Sequence, residues 1–151
     1  ETPAPKPDWQ AAAANPHSAA IRAVTIGRVF GGDRVLVSLA MMAARDTDNP
    51  DNPIHSDPEQ AKKAGLAQPI AGGSHVLSFA LEAVMATLGT QVLMHGAHFD
   101  IRWKAPTEND VYIVPTATVV VAEPDRLVLD LQVDLDSGPT AMVGTLTIPI
   151  A

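Results

Sequence analysis

The stretch from Ser74 to Leu88 does most to restrict how this chain can fold. Val76, Leu77, Phe79, Ala80, Leu81, Ala83, Val84, Met85 and Leu88 recur around nearly the whole circumference of a helix, and Gly89 ends it. A helix that is apolar on most sides has to be covered by the rest of the chain. Beyond Gly89 the chain reads mostly as strand. Ala97, Phe99, Ile101 and Trp103 alternate with His98, Asp100, Arg102 and Lys104; Leu127, Leu129, Leu131, Val133 and Leu135 alternate with Asp130, Gln132, Asp134 and Asp136. A period of two puts every second side chain on one face of a sheet. Residues 111–121 and 141–150 supply two further strands, with a turn at Asp136-Ser137-Gly138-Pro139. Pro115 donates no ladder hydrogen bond, which suggests an edge or a bulge there. One buried helix followed by antiparallel strands implies an α+β domain whose sheet wraps around the helix. The edges of so small a sheet stay open unless a second copy pairs with them.

Upstream, residues 21–30 read as a strand broken by Gly31-Gly32-Asp33. Residues 35–44 suit a short helix or an extended segment, and periodicity does not decide between them. Residues 45–58 form a loop dense in Asp, Asn and Pro. A short helix follows, with Asp57 as N-cap, Pro58 at its first position and Gly65 as terminator. Residues 1–20, rich in Pro and Ala with Trp9 as the one large anchor, read as an arm; residues 21–151 form the domain.

A net charge of -7 argues against nucleic acid as a partner. The absence of cysteine excludes disulfides, thiolate metal sites and a cysteine nucleophile. No apolar run approaches the roughly 18 residues of a membrane span. Glu1 to Pro7 lacks the charged-then-apolar order of a signal peptide. A cytoplasmic location is the expectation, with no membrane partner.

The chemistry concentrates in Asp51-Asn52-Pro53-Ile54-His55-Ser56-Asp57-Pro58 and in Pro69-Ile70-Ala71-Gly72-Gly73. A carboxylate beside a neutral imidazole can position and deprotonate a water. The competing reading has the Asp and Asn residues brace the turn while His55 caps a helix or faces solvent. The helix start at Gly72, Gly73 and Ser74 offers unpaired N–H groups and the positive end of a dipole. A carbonyl oxygen aimed there gains about 3 kcal/mol per well-placed donor as charge develops on it. Alternatively the glycine pair is only a tight turn. His75 suits packing, and His98 lies on the polar face of its strand. A metal site from His55, Asp51 and Asp57 lacks a matching ligand spacing, so neither metal nor cofactor is expected.

These residues resemble the MaoC-like, or type 2 R-specific, enoyl-CoA hydratase family. That family's pattern is Asp-x-Asn-Pro-x-His-x-Asp, then about eighteen residues to a helix-start glycine, and from His55 to Gly73 the spacing agrees without a gap. Phe99-Asp100-Ile101-Arg102-Trp103-Lys104-Ala105-Pro106 is similar to the family's strand ending in Pro. The likeness spans roughly residues 34 to 120. It implies a hotdog fold, a homodimer or a dimer of like subunits, and an acyl-CoA or acyl-carrier thioester substrate. It implies further that His55 is catalytic, that Gly73 N–H polarises the thioester, and that water adds to or leaves a 2-enoyl or 3-hydroxyacyl thioester.

One position departs from the pattern. The family's catalytic Asp falls where this chain has Pro50. Asp51 lies one place nearer His55; Asp46, in an Arg45-Asp46 pair like that of some members, is preferred because the preceding segment anchors it; Asp48 comes third. The family's His before the helix-start glycine is Gly72 here, and a helix serine of some members is Leu81. Two other functions compete: a hotdog thioesterase using Glu82, the one carboxylate on the long helix, and a non-catalytic subunit that binds acyl thioesters.

Overall fold

The computed structural model describes residues 18–45 and 52–150. Trp9, Asp46, Asp48, Pro50 and Asp51 therefore lie outside the described residues, as does most of the arm.

The long helix, α4, runs from Gly73 to Leu88 and buries His75, Val76, Phe79, Ala80, Val84 and Leu88. Gly89 ends it at φ 92, a conformation that glycine adopts without strain. Leu77, Leu81 and Ala83 pack against the core only in part, and Glu82 is exposed, so the helix is sunk on one face rather than all round.

A six-stranded antiparallel sheet wraps that face. Its members are β1 (Val29–Gly31), β2 (Val35–Val37), β3 (His98–Trp103), β4 (Val111–Ala122), β5 (Arg126–Leu135) and β6 (Thr140–Pro149). The order is β1-β4-β5-β6-β3, with β2 also on β4. The alternation expected of β5 holds: Leu127, Leu129, Leu131 and Val133 are at most 1% exposed. Burying such side chains stabilises the fold by about 1.5–3 kcal/mol each. Phe99 and Ile101 of β3 are only half-buried, because β3 pairs with β6 alone and forms one margin of the sheet.

Pro115 sits in neither an edge strand nor a bulge, contrary to the sequence-based expectation. β4 is flanked on both sides, and its register shift falls at Val119/Val121. The proline is tolerated because β1 registers with residues 116–118 and β2 with 111–113, leaving a break opposite residue 115. Its carbonyl accepts from Gly32 N–H at 2.9 Å across that break, and no N–H is required of it. Gly31, at φ 81, comes so close to this carbonyl that a Cβ would overlap it.

Two upstream readings need correction. Residues 21–30 are not one strand: α1 (Ser18–Arg22) comes first, and only Val29–Gly31 joins the sheet. Ile21, 1% exposed, anchors α1 in the core through a single side chain, which an alternation count cannot detect. Residues 35–44 resolve into both alternatives: β2, then α2 (Leu39–Arg45). Ser38 makes the switch, its Oγ accepting from Met41 N–H at 3.2 Å. The short helix is present as α3 (Pro58–Lys63), with the Asp57 carboxylate accepting from Glu59 and Gln60 N–H groups. Among the described residues no helix is long and apolar enough to cross a membrane.

Candidate active site

His55 ends a 3-10 turn, Pro53–His55, that the Asn-Pro sequence starts and the Asp57 cap closes. Its Nδ1 lies 2.6 Å from the Ile70 carbonyl oxygen. A carbonyl can only accept, so Nδ1 carries the proton and Nε2 carries the lone pair. Asn52 Nδ2 donates to that lone pair across 3.3 Å, on the exposed side of the ring. The carbonyl that orients the imidazole is itself fixed. Ile70 bridges to Glu108, Ala71 N–H donates to Thr107 O at 2.7 Å, and Asn109 N–H to Pro69 O at 2.9 Å.

The same segment leads into α4. Gly72 is the N-cap and offers no side chain, while its carbonyl accepts from His75 and Val76 N–H groups. The N–H groups of Gly73 and Ser74 precede the helix's own bonding, and Gly73 borders the cavity described next. The two glycines differ in why they are small. Gly72 has an ordinary φ of -62, and a Cβ there would rest 3.9 Å from the His55 ring at Cε1 and Nε2. A Cβ on Gly73 would stand 2.8 Å from Trp103 Cζ2. Gly73 is thus glycine because an indole lies against it.

Between these groups is a cavity of about 360 Å³, bordered by His55, Ile70, Gly73, Val76, Trp103, Lys104 and Thr107 among others. Its walls are mostly apolar, with few polar groups, as ligand pockets commonly are. A second hollow of about 360 Å³ on the sheet's outer face is lined by Asp100, Arg102, Asp130, Gln132 and Thr145 and holds none of the expected site residues.

Of those expected residues, His55 and Gly73 share the cavity, and Gly72 adjoins the His55 ring. Ser74 turns its hydroxyl away, accepting from Arg45 Nη2 at 3.2 Å, so only its backbone faces the helix start. Asp46 and Asp51 lie outside the described residues. Asp57 is committed to capping α3. Glu82 is exposed and does not border the cavity. Among the described residues no three His, Asp or Glu side chains group closely enough to hold a metal ion. His75 is buried and stacked on Phe79 with centroids 5.0 Å apart, as its packing reading required. Burial holds its pKa below 6.5, and the Arg45 guanidinium adds to that effect.

Trp103, Thr107 and Arg45 escaped the sequence reading as site residues. Trp103 carried a signal, since it shares strand parity with Phe99 and Ile101 yet sits at the strand end and is 52% exposed. Thr107 carried none that spacing could reveal, and Arg45 stood out only as the neighbour of Asp46 in an Arg-Asp pair.

A sheet of this order around one long helix is the hotdog architecture. The similar solved structures have the same fold. They include R-hydratase PhaJ1 from Pseudomonas aeruginosa (15% identity, 87% of this chain and 84% of that one, TM-score 0.71). The (R)-hydratase from A. caviae involved in PHA biosynthesis is 20% identical over 85% and 98% of the two chains, with a TM-score of 0.66. The ChsH1-ChsH2 complex from Mycobacterium tuberculosis is 11% identical over 85% and 99%, with a TM-score of 0.71. No curated protein matches the chain. Residues 50–107, from Pro50 through the His55 turn and α4 to Thr107, match the family model of the MaoC like domain. This is a hotdog protein carrying a MaoC-like segment, and that segment contains His55, Gly72, Gly73, Trp103 and Thr107.

Proposed function

We propose that the chain is a hydratase or dehydratase acting on a 2-enoyl or 3-hydroxyacyl thioester. The observation that carries this is the His55 tautomer: an imidazole with its proton tied to a backbone carbonyl and its lone pair beside the open start of α4. In the hydration direction, the thioester carbonyl takes a hydrogen bond from Gly73 N–H. A water that replaces the Asn52 amide at Nε2 gives that nitrogen a proton as its oxygen bonds to C3. The C2–C3 π electrons move toward the carbonyl, giving an enolate that the Gly73 N–H stabilises. The enolate collapses as C2 takes the proton back from Nε2. Water is consumed whole, and the ring returns to its starting tautomer. Dehydration is the reverse.

A carboxylate from residues 46–51 would hold the water's second hydrogen. The two described residues that flank this segment support that placement: Arg45 reaches Ser74 in the first turn of α4, and Asn52 touches His55 Nε2. Asp46 is the first choice and Asp51 the second. The 3.3 Å approach of the Asn52 amide marks the direction from which a hydrogen-bond donor meets the lone pair.

The substrate is proposed as an acyl-CoA or acyl-carrier thioester, since the cavity is mostly apolar with few polar groups. The assembly is proposed as a homodimer, because β3 pairs on one side only. A cytoplasmic setting is part of the proposal and rests on composition.

The test is hydration of trans-2-enoyl-CoA, followed by loss of the conjugated thioester absorbance. His55→Ala should lower kcat/KM by about 10²–10⁴-fold, the usual contribution of a positioned acid–base group. Unchanged turnover in that variant would overturn the assignment. Tight acyl-CoA binding by the wild type with no turnover would instead indicate a binding subunit.

A further inference from the structure

Trp103 is the largest apolar side chain bordering the cavity, where its neighbours include Ala71, Val76, Ala105 and Ala141. Its direction follows from strand parity. Trp103 registers with Met142 of β6, which is 0% exposed, and shares its parity with Phe99 and Ile101, both packed against the core. The side chain therefore leaves β3 on the inner face, toward α4. It ends against Gly73: the Cβ that glycine lacks would stand 2.8 Å from Cζ2, 2.9 Å from Cε2 and 3.3 Å from Cη2. All three atoms belong to the six-membered ring of the indole. The Gly73 nitrogen is bonded to the same Cα, so a carbonyl held by its N–H lies beside that ring. The protein covers only part of the indole, since Trp103 is 52% exposed. A tryptophan so placed presents a broad apolar surface to whatever enters the cavity.

We propose that Trp103 is a specificity-determining residue: its indole bounds the space beside the thioester carbonyl and excludes acyl groups branched at C2. The inference rests on the acyl-thioester reading above, and adds to it the class of acyl group accepted. C2 is bonded to the carbonyl carbon and takes its proton from His55 Nε2 in the proposed reaction, so it lies in the cavity between the helix start and the imidazole. A methyl on C2 of an enoyl group lies in the plane of the double bond, away from the face that the imidazole approaches. That directs it into the space bounded by the indole. A straight chain carries only a hydrogen there. A packed wall that meets one extra methyl disfavours the ligand by about 10–200-fold.

The experiment is calorimetric titration of the full chain with butanoyl-CoA and with 2-methylpropanoyl-CoA, isomeric saturated thioesters of which the second is branched at C2. Wild type is compared with Trp103→Phe, whose single ring is smaller, and with Trp103→Ala. Hydration of trans-2-butenoyl-CoA and of its 2-methyl derivative is measured alongside. Wild type should bind the straight ligand at least about tenfold more tightly than the branched one. Trp103→Ala should narrow that ratio to a few-fold by gaining affinity for the branched ligand, and Trp103→Phe should fall between. The ratios of kcat/KM for the two enoyl thioesters should follow the same order. Equal affinities in the wild type overturn the proposal, as does a Trp103→Ala variant that keeps the wild-type ratio. A ratio that narrows only because the straight ligand binds more weakly overturns it too. If Trp103→Ala does not fold, Trp103→Leu and Trp103→Phe make the same comparison. A wild type that binds neither ligand would refute the acyl-thioester function itself and this selection with it, a result distinct from binding both alike.

Discussion

Adding one methyl group at each of two neighbouring glycines should separate them sharply. At Gly73 the new Cβ stands 2.8 Å from Trp103 Cζ2 and 2.9 Å from Cε2. Carbon atoms rest at about 3.5–4.0 Å, so the indole must withdraw by about 1 Å. Trp103 is half in solvent and belongs to a strand paired on one side, so it can move at small cost. Overpacking elsewhere costs about 1–3 kcal/mol. Here the yielding ring and the better helix propensity of alanine, worth up to about 1 kcal/mol, pull the net loss toward the low end. For a chain of this size about 1 kcal/mol shifts the midpoint by about 2–4 °C.

Activity should suffer more than stability. A displacement of about 1 Å in a wall that positions substrate costs about 10²-fold in rate. Gly73→Ala should therefore fold with a midpoint within a few degrees of wild type and lose about two orders of magnitude in kcat/KM. Gly72→Ala is the matched control: its φ suits any residue, and its Cβ would meet His55 at 3.9 Å, an ordinary contact. Losing a glycine N-cap to alanine costs about 0.5–1 kcal/mol, and the stiffer unfolded chain returns about 0.4–1 kcal/mol. Its stability should stay near wild type, and its activity should fall less than that of Gly73→Ala. The assays are enoyl-CoA hydration, thermal unfolding and tryptophan emission, which reports the indole directly. Wild-type activity and emission in Gly73→Ala, or equal losses at both glycines, would refute the account of Trp103 as a wall of the site.

Other outcomes rest on the same geometry. Asp46→Asn should cut hydration at least about 10²-fold, with Asp51→Asn close to wild type; the opposite ranking in kcat would transfer the carboxylate role to Asp51. Asp57→Ala should lose about 1 kcal/mol of stability by removing the cap of α3 while keeping most activity, as denaturant melts paired with rates would check. His75 titrates below 6.5 in the fold, so the unfolded chain binds more protons there and stability falls as pH drops below about 6.5 toward the folded value. Thermal midpoints across that range should decline more in wild type than in His75→Gln. Leu129→Ala, at 0% exposure in β5, should cost about 2–5 kcal/mol in chemical denaturation.

How much of this could be read from the chain depends on whether a feature is local. The alternation of Leu127, Leu129, Leu131 and Val133 and the Asp57-Pro58 cap are written in neighbouring residues, and both stand in the structure as the sequence implies. Pro115 was misjudged because its tolerance depends on where two other strands stop pairing, a fact spread over residues 29–37. The site divides the same way. His55 and Gly73 were legible from spacing, since one loop and one helix start carry them. Trp103 and Thr107 reach the cavity only after β3 has paired with β6 and residues 107–109 have paired with 69–71. Spacing could thus single out the imidazole, but what fixes its proton is the Ile70 carbonyl, fifteen positions away in sequence and held in place by that long-range pairing. The tautomer of His55 proposed as reactive is consequently a property of the tertiary structure, and loosening the Ile70–Glu108 bridge should lower hydration activity without changing any residue proposed to touch the substrate.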